Sequence, residues 1–320
     1  MTSSESTVGS GPVTLPRLVV AVAGGTGFVG GAIARDLAGR GHRVVVLSHR
    51  PPAHAGKSPA EAFERRQADV ARPDELATAL DGVDALVISL AFRNSPIEAP
   101  RRGRTFERVD ADGTVALVDA ARAAGVRRLV YISGAGAAPD APRHWFRAKW
   151  RAEEAVRSSG IPYTIFRPSW IYGPGDKSLN RFLGFARWLP FVPQIGNGRQ
   201  VVAPLFVDDM GRLVADALQT PAAAGATLEV GGPETLTMDV VIREALRAQG
   251  RRRLILHVPA RLMKLLTRPL TLLPSPPMTP DAIDFVVQSA QVDSGPLHER
   301  LPRRLTPLAE GLASYLAPKR

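Results

Sequence analysis

The sequence has 320 residues, 45% of them hydrophobic, with a formal net charge of +11 at pH 7 and no cysteine. This length and composition suffice for a globular core, and the lack of cysteine excludes disulfides, cysteine-ligated metal sites and cysteine nucleophiles. The net charge alone would suit a nucleic-acid-binding protein, but the arginines stand in small scattered groups without interleaved aromatic residues. We therefore expect a globular protein that does not bind nucleic acid.

The beginning of the chain, residues 1–16, is rich in Ser, Thr and Gly. It shows neither the basic stretch nor the apolar stretch of a secretion signal, so we expect a flexible leader. No apolar run reaches the ~20 residues that a membrane-spanning helix needs. A cytoplasmic location is therefore expected.

The first predicted strand, residues 18–22, runs into a glycine-rich turn that is followed by a predicted helix, residues 28–40. Gly25-x-Gly27-x-x-Gly30 matches the dinucleotide-binding fingerprint, and a second, overlapping glycine spacing matches a variant of it. Both predict backbone N–H groups at a helix N-terminus that bind the phosphates of a dinucleotide. The predicted cofactor-binding residues of the turn are Gly24, Gly25, Thr26, Gly27, Phe28, Val29 and Gly30.

The second predicted strand, residues 43–47, is followed by Ser48-His49-Arg50. A protein that prefers NAD would carry an Asp or Glu here to hold the adenosine ribose. A cationic strand end without an acid suits a 2′-phosphate, so NADP(H) is favoured over NAD(H), with Arg50 as the predicted phosphate-binding residue. The alternative is that Arg50 is simply solvated.

Predicted strands and helices continue to alternate along the chain, which indicates an α/β protein with a doubly wound parallel sheet, the Rossmann fold. Ligands bind at the carboxyl ends of the strands in such sheets. Ser89, Leu90 and Ala91, at the carboxyl end of the fourth strand, are therefore predicted to approach the cofactor. The third strand is predicted to end with residues 65–70. The later strands are predicted over residues 85–90, 126–132, 163–166 and 227–230.

The composition changes after residue 175, where prolines and turn-forming residues become frequent. We expect a Rossmann domain of residues 17–175 and 204–230. Residues 176–203 and 231–320 are expected to form a smaller, mainly helical C-terminal region that binds or covers the substrate.

One segment of that region, residues 260–270, is amphipathic and cationic. It could lie on a membrane surface as a peripheral contact. Alternatively, it is a lid helix whose leucines pack on the core. The sequence indicates neither the oligomeric state nor the small-molecule substrate.

Several features stand in the order typical of one enzyme superfamily: Ser133 at the end of the fifth strand, a helix carrying Lys149, Arg167-Pro168 after the sixth strand, and the segment 206–209. With the glycine turn, they resemble the extended and atypical short-chain dehydrogenase/reductase superfamily, which includes NAD-dependent epimerases and dehydratases. The narrower likeness is to bacterial relatives of the NADPH-binding accessory subunit of respiratory complex I.

This resemblance implies a Rossmann sheet that binds NAD(P)(H). It places Asp69 and Val70 at the adenine, Arg167 and Pro168 near the cofactor, and Lys149 at the nicotinamide ribose. It also implies a C-terminal portion that closes over a substrate crevice.

The catalytic residues that the resemblance implies are Ser133, Lys149 and the residue at position 145. In the superfamily a Tyr at that position passes a proton, a Lys four residues later lowers the pKa of the phenol, and a Ser polarises the carbonyl. This sequence has Trp145 instead, on the same predicted helix face as Lys149 and Glu153. An indole N–H can donate a hydrogen bond but cannot act as the acid and base.

Two further residues leave alternatives open. Asp110 could pair with Lys149, or could provide negative charge at a helix N-terminus. His144 could substitute as a proton donor, or could be a solvated surface histidine. The histidines show no helix-spaced pair, so no metal site is expected.

Two functions are therefore carried forward from the sequence. The first is an NADP(H)-dependent oxidoreductase or epimerase-type enzyme. The second is a catalytically silent NADPH-binding protein with a structural or redox-sensing role, for which Trp145 is the main argument.

Overall fold

The computed structural model describes residues 17–49, 63–70, 72–92 and 95–317. The predicted leader and Arg50 lie outside these residues. None of the helices within the described ranges is long and apolar enough to cross a bilayer.

A seven-stranded parallel sheet forms the centre of the protein, which confirms the predicted doubly wound fold. Its strand order is β11-β6-β5-β4-β1-β2-β3. The chain builds the sheet outward from β1 in one direction and then returns to build it from β4 in the other, so β1 and β4 flank the topological switch point. The strands are β1 (Val19–Ala23), β2 (Arg43–Ser48), β3 (Glu64–Gln67), β4 (Ala85–Ile88), β5 (Arg128–Ile132), β6 (Tyr163–Pro168) and β11 (Ala226–Val230).

Helices cover both faces of this sheet, which explains why its strands are almost continuously apolar. Along β1, Val20 and Val22 pack with α1 and α6, whereas Ala21 and Ala23 pack with α2, α3 and α4. Successive side chains of a strand point to opposite faces, so both sets of β1 residues are buried. The helices are α1 (Phe28–Gly39), α2 (Pro73–Ala79), α3 (Gly113–Ala123), α4 (His144–Ser158) and α6 (Val207–Gln219).

The helix between β4 and β5 has two parts of different geometry. Its first part, Phe106–Asp112, is a π-helix, and α3 continues from Gly113. The side chain of Thr105 accepts a hydrogen bond from the backbone N–H of Arg108 at its start. Wider π-helical turns are frequent at functional sites, and this one carries the buried Asp110.

The C-terminal region has its own core, formed by buried residues of α5, α7, α11 and short strands. Three two-stranded sheets lie in or border it: β7 with β10, β9 with β12, and β8 with β13. The sequence analysis did not predict β13, which pairs in parallel with β8. The elements are β7 (Trp170–Tyr172), α5 (Leu179–Phe185), β8 (Phe191–Ile195), β9 (Val201–Val202), β10 (Pro204–Phe206), β12 (Leu236–Thr237), α7 (Met238–Ala248), β13 (Leu254–Val258), α8 (Ala260–Thr267), α9 (Pro280–Val287), α10 (Gly295–Arg300) and α11 (Leu308–Leu316).

The segment that contains α10 returns to the sheet. Leu297, Leu301 and Leu305 are buried in the same core as α1 and α6. Asp209 on α6 accepts hydrogen bonds from the backbone N–H of Thr306 (2.7 Å) and from its hydroxyl (3.1 Å). The division of the chain into two regions stays a prediction. It assigns residues 231–320 to the C-terminal region and does not include the return of this segment to the core of the sheet.

Candidate functional site: the crevice at the switch point

The glycine turn lies at the carboxyl end of β1 and leaves no room for side chains. Gly24 has a φ of +82°, and a Cβ there would lie 2.1 Å from the carbonyl oxygen of Ser89. A Cβ on Gly30 would lie 2.3 Å from the carbonyl oxygen of Gly24. Gly27 precedes α1 with no side-chain cap. The turn therefore fits the phosphates of a dinucleotide, which need close backbone approach and unpaired N–H groups at a helix start.

The turn contacts the chain that follows β4. The backbone N–H of Ser89 donates to the carbonyl oxygen of Ala23 (2.9 Å), so Ser89, Leu90 and Ala91 leave the sheet beside the glycine turn. The contact of these residues with the cofactor stays a prediction. The structure places them at the carboxyl edge of the sheet, where ligands bind in this fold.

The structure also brings together Val70 and Leu90, which come from different strand ends. A Cβ on Gly113 would lie 3.1 Å from Val70 and 3.2 Å from Leu90, so these two side chains meet over the start of α3. Asp69 is half-buried beside Val70. The predicted adenine site thus has an apolar part formed by Val70 and Leu90. The predicted 2′-phosphate-binding residue, Arg50, lies outside the described residues.

Lys149 forms a buried ion pair beside the carboxyl end of β5. Its Nζ lies 2.6 Å from Oδ1 of Asp110 and donates to the carbonyl oxygen of Ile132 (3.4 Å). Burial raises the pKa of Asp110, and the Lys149 ammonium opposes this effect. Burial lowers the pKa of Lys149, but Asp110 more than reverses this, so the pKa of Lys149 lies above its ordinary value. Of the two alternatives left open for Asp110, the structure shows the pair with Lys149.

Trp145 lies one helical turn before Lys149 and is almost completely buried, with an exposed fraction of 2%. Its ring contacts those of His144, Phe106, Phe146 and Phe285, with centroid distances of 5.2 to 6.3 Å. Its Nε1 has no hydrogen-bond partner within the described part of the chain, and neither has Oδ2 of Asp110. A buried polar group without a partner costs about 1–3 kcal/mol, and both atoms are shielded from solvent in this structure.

Ser133 is hydrogen-bonded to Glu153, for which the sequence predicted only a position on the face of α4. Its hydroxyl donates to Oε1 of Glu153 (2.6 Å), which is completely buried. Arg167 binds the same carboxylate through Nε (2.8 Å) and Nη2 (2.6 Å), and Arg157 adds a third arginine contact (2.6 Å). The roles predicted for Ser133 and Arg167 stay predictions, but both side chains are held by Glu153. Pro168 is buried at the end of β6.

His144 is paired with a carboxylate that the sequence did not reveal. Its Nε2 lies 2.8 Å from Oε2 of Glu98, whose other oxygen accepts from the backbone N–H of Phe106 (2.7 Å). Glu98 is separated from His144 by 46 residues, and no local pattern marks it. Elsewhere in the described ranges, no group of three His, Cys, Asp or Glu side chains could hold a metal ion.

Comparison with known proteins indicates the same class of ligand, a dinucleotide, that the glycine turn fits. A family described as NAD(P)H-binding matches residues 24–183. The chain is 30% identical over 240 residues to the mitochondrial NADH dehydrogenase [ubiquinone] 1 alpha subcomplex subunit 9 of Arabidopsis thaliana, covering 71% of this chain and only 57% of that protein. It is 29% identical over 244 residues to the ceramide reductase of Caulobacter vibrioides, covering 76% and 74%.

A solved structure extends the likeness to nearly the whole fold. The dTDP-glucose 4,6-dehydratase DesIV of Streptomyces venezuelae superposes with a TM-score of 0.73 at 22% identity, covering 93% of this chain and 95% of that one. At this level of identity the superposition shows the shared fold.

Proposed function

The chain belongs to the NAD(P)H-binding family of extended short-chain dehydrogenase/reductase type, and we propose that it is an NADP(H)-dependent oxidoreductase that reduces a carbonyl group of an apolar substrate. The observation that carries cofactor binding is the glycine turn, in which Gly24 and Gly30 leave no space for a Cβ. The similarity to a ceramide reductase over three quarters of both chains supports the reductase assignment.

The residues that would hold the cofactor surround the switch point. The N–H groups at the start of α1 would bind the pyrophosphate, Val70 and Leu90 would contact the adenine, and Lys149 would donate to the ribose hydroxyls. When bound, the reduced nicotinamide supplies a hydride. The aromatic side chains around Trp145 form a buried apolar cluster, so the apolar character of the substrate is proposed from the similarity to a ceramide reductase.

We assign to Trp145 a hydrogen bond to the substrate carbonyl. Its Nε1 is a donor without a partner but is buried, so this role requires the aromatic cluster to open when substrate binds. A donor at the carbonyl would then stabilise the negative charge that develops on the oxygen. Trp145→Phe removes the donor and keeps most of the packing, so kcat should fall by roughly 10²-fold, with NADPH affinity unchanged. A Trp145→Phe variant with full kcat would contradict this role.

The proton would come from His144, which is adjacent to Trp145 and is oriented by Glu98. His144→Gln removes this proton donor and should lower kcat, whereas Glu98→Gln, which only loosens the orientation of the ring, should lower kcat less. An unaltered kcat in His144→Gln would exclude this assignment.

The principal experiment follows NADPH oxidation with ketones of increasing alkyl length. Turnover that improves with chain length supports the proposal. An epimerase would convert its substrate without net consumption of NADPH, so conversion with a constant NADPH level would show the redox-neutral reaction instead.

The cofactor preference rests on the sequence Ser48-His49-Arg50, which has no acid at the end of β2. Arg50→Glu should weaken NADPH binding by roughly 10- to 100-fold, because a charge-assisted hydrogen bond contributes about 1.5–3 kcal/mol. NADH binding should change little. Arg122→Glu, at an exposed position on α3, controls for net charge. Equal losses for both cofactors would contradict the NADP(H) preference.

A second candidate function is a cofactor-binding protein without turnover. Trp145 supplies no proton, and Lys149 is paired with Asp110 and lies over the ring of the buried Tyr131 (5.4 Å to the centroid) rather than beside a phenol four residues before it. Trp145→Tyr would restore the superfamily's residue four positions before Lys149. Activity gained only in this variant would support the silent protein, whereas activity present in the wild type and lost in Trp145→Tyr would support the oxidoreductase.

A further inference from the structure

The C-terminal region exposes a set of large hydrophobic side chains. Within the described ranges, every large hydrophobic residue that is exposed lies between residues 188 and 273. Trp188 is the extreme case, with an exposed fraction of 85%. We call this set the leucine patch: Trp188, Leu254, Leu256, Leu262, Leu265, Leu266, Leu272 and Leu273.

Helix α8 contributes the centre of the leucine patch with its apolar face turned away from the core. Leu262, Leu265 and Leu266 are exposed on one side of the helix, whereas Thr267 is its only fully buried residue. An amphipathic helix on a globular protein ordinarily buries its leucines. The alternative in which the leucines of residues 260–270 pack on the core is therefore wrong.

The neighbouring elements connect the rest of the leucine patch to this helix. Strand β13 carries Leu254 and Leu256 and leads directly into α8. Arg251 and Arg253 both donate to the carbonyl oxygen of Ala186, at 2.7 and 3.2 Å. These bonds hold the start of β13 against the chain that carries Trp188.

The chain segment that carries most of the leucine patch has charges of one sign, although Asp239 and Asp284 of other elements contact it. Residues 250–280 contain six basic residues and no Asp or Glu. Arg252, Arg261 and Arg268 are exposed, and within the part of the chain that the structure describes none of them has a carboxylate partner. Lys264 is the exception, because it pairs with Asp284.

We propose that the leucine patch docks on the surface of a lipid bilayer that contains anionic lipids. The leucines and Trp188 would enter the interface, and Arg252, Arg261 and Arg268 would lie at the phosphates. Exposed leucines beside unpaired basic residues are the combination that binds such surfaces, since burial of apolar area and attraction to anionic headgroups add. The proposal goes beyond the oxidoreductase function and does not depend on it.

Vesicle sedimentation with the full chain and no cofactor tests this proposal. The protein should sediment with phosphatidylcholine vesicles containing about 30 mol% phosphatidylglycerol, and added salt should weaken this binding. Binding to pure phosphatidylcholine should be at least ~10-fold weaker. The chain has four tryptophans, so the contribution of Trp188 is taken as the difference between the wild type and Trp188→Phe. That contribution should shift to shorter wavelength on binding and should be quenched by brominated lipids. Equal binding to both vesicle types, or no binding, would overturn the proposal.

Variants locate the contact on the molecule. Leu265→Gln/Leu266→Gln should reduce vesicle binding by at least ~10-fold. Arg261→Glu should reduce it more than Arg122→Glu, which changes the net charge equally at a distant site. NADPH binding retained by each variant shows that the fold is intact, so a failure here is distinct from a failure of the oxidoreductase assay. Unchanged vesicle binding, or a dimer in solution that these variants dissociate, would exclude membrane docking through the leucine patch.

Discussion

The sheet half and the region around the leucine patch differ in how their arginines are partnered. In the sheet half, Arg40 pairs with Asp36 (2.8 Å) and Asp216 (2.7 Å), and Arg157 and Arg167 share the buried Glu153. Around the leucine patch, exposed arginines stand beside exposed leucines without carboxylates. Under the docking proposal, the partners of the arginines around the leucine patch lie outside the chain, whereas these arginines of the sheet half have theirs within it. The following predictions test this division.

The largest effect is expected at Glu153. Glu153→Gln leaves two arginines facing a neutral group in a buried site, and breaking a buried pair costs about 3–5 kcal/mol. Its neighbour Glu154 also pairs with Arg157, but its side chain is half-exposed, so Glu154→Gln should change stability by less than about 1 kcal/mol. Urea unfolding compares the two. Equal unfolding midpoints would contradict the role of Glu153.

The next effect is expected at the glycine turn. Gly30→Ala places a Cβ against the carbonyl oxygen of Gly24, and overpacking of this kind costs roughly 1–3 kcal/mol. NADPH affinity should fall by at least ~10-fold, because the turn must move. Gly39→Ala, in the same helix, meets nothing within 4 Å and should be neutral or slightly stabilising. Titration with NADPH measures both, and similar affinities would exclude the turn as the phosphate site.

A smaller, pH-dependent effect is expected at Asp216. Burial raises the pKa of Asp216, but the ion pairs with Arg303 and Arg40 lower it by more than burial raises it. The pKa of Asp216 in the folded protein therefore lies below its ordinary value. The ion pairs therefore stabilise the fold above pH ~4 and lose this contribution as pH falls through the folded pKa. Asp216→Asn should cost ~1 kcal/mol at pH 7 and nothing in strong acid. The measurement is the free energy of unfolding of the variant and the wild type between about pH 2 and pH 7. For an Asp140→Asn control, the difference from the wild type should not change with pH in the way expected for Asp216→Asn.

The smallest effect on stability is expected in the leucine patch. Leu265→Gln/Leu266→Gln removes exposed side chains, so the free energy of unfolding should change by less than ~0.5 kcal/mol. Leu213→Gln, in the buried face of α6, should destabilise the protein by several times that amount, about 2–5 kcal/mol. If the patch variant were as destabilised as the α6 variant, the leucines would belong to a core and the division would fail.

The sheet half could be predicted because its signals are local. The apolar run of β1, the glycines that follow it and the helical spacing of α1 are adjacent in the sequence, and each agrees with the others. The ion pair of Asp110 with Lys149 was one of two alternatives, since a helix N-terminus also accounts for an acid there. The π-helix that carries Asp110 leaves no mark in the hydrophobic period.

The features that the sequence did not reveal depend on contacts between distant residues. Glu98 is fixed by His144 and Phe106, and its partners are known only once the loop after β4 is folded. Strand β13 is missed because it lies in a two-stranded sheet and exposes Leu254 and Leu256, which an alternating apolar pattern would bury. The sequence of α8 shows a leucine face but not whether that face points inward or outward.

The returning segment after α9 has a consequence for how the protein is made. Leu297, Leu301 and Leu305 complete the core on one face of the sheet, and Leu308 and Leu312 complete the core of the C-terminal region. A ribosome delivers these residues after every strand of both regions. Each core therefore stays open on the nascent chain until this segment has emerged, and a chaperone that binds exposed apolar surface would meet both cores at once.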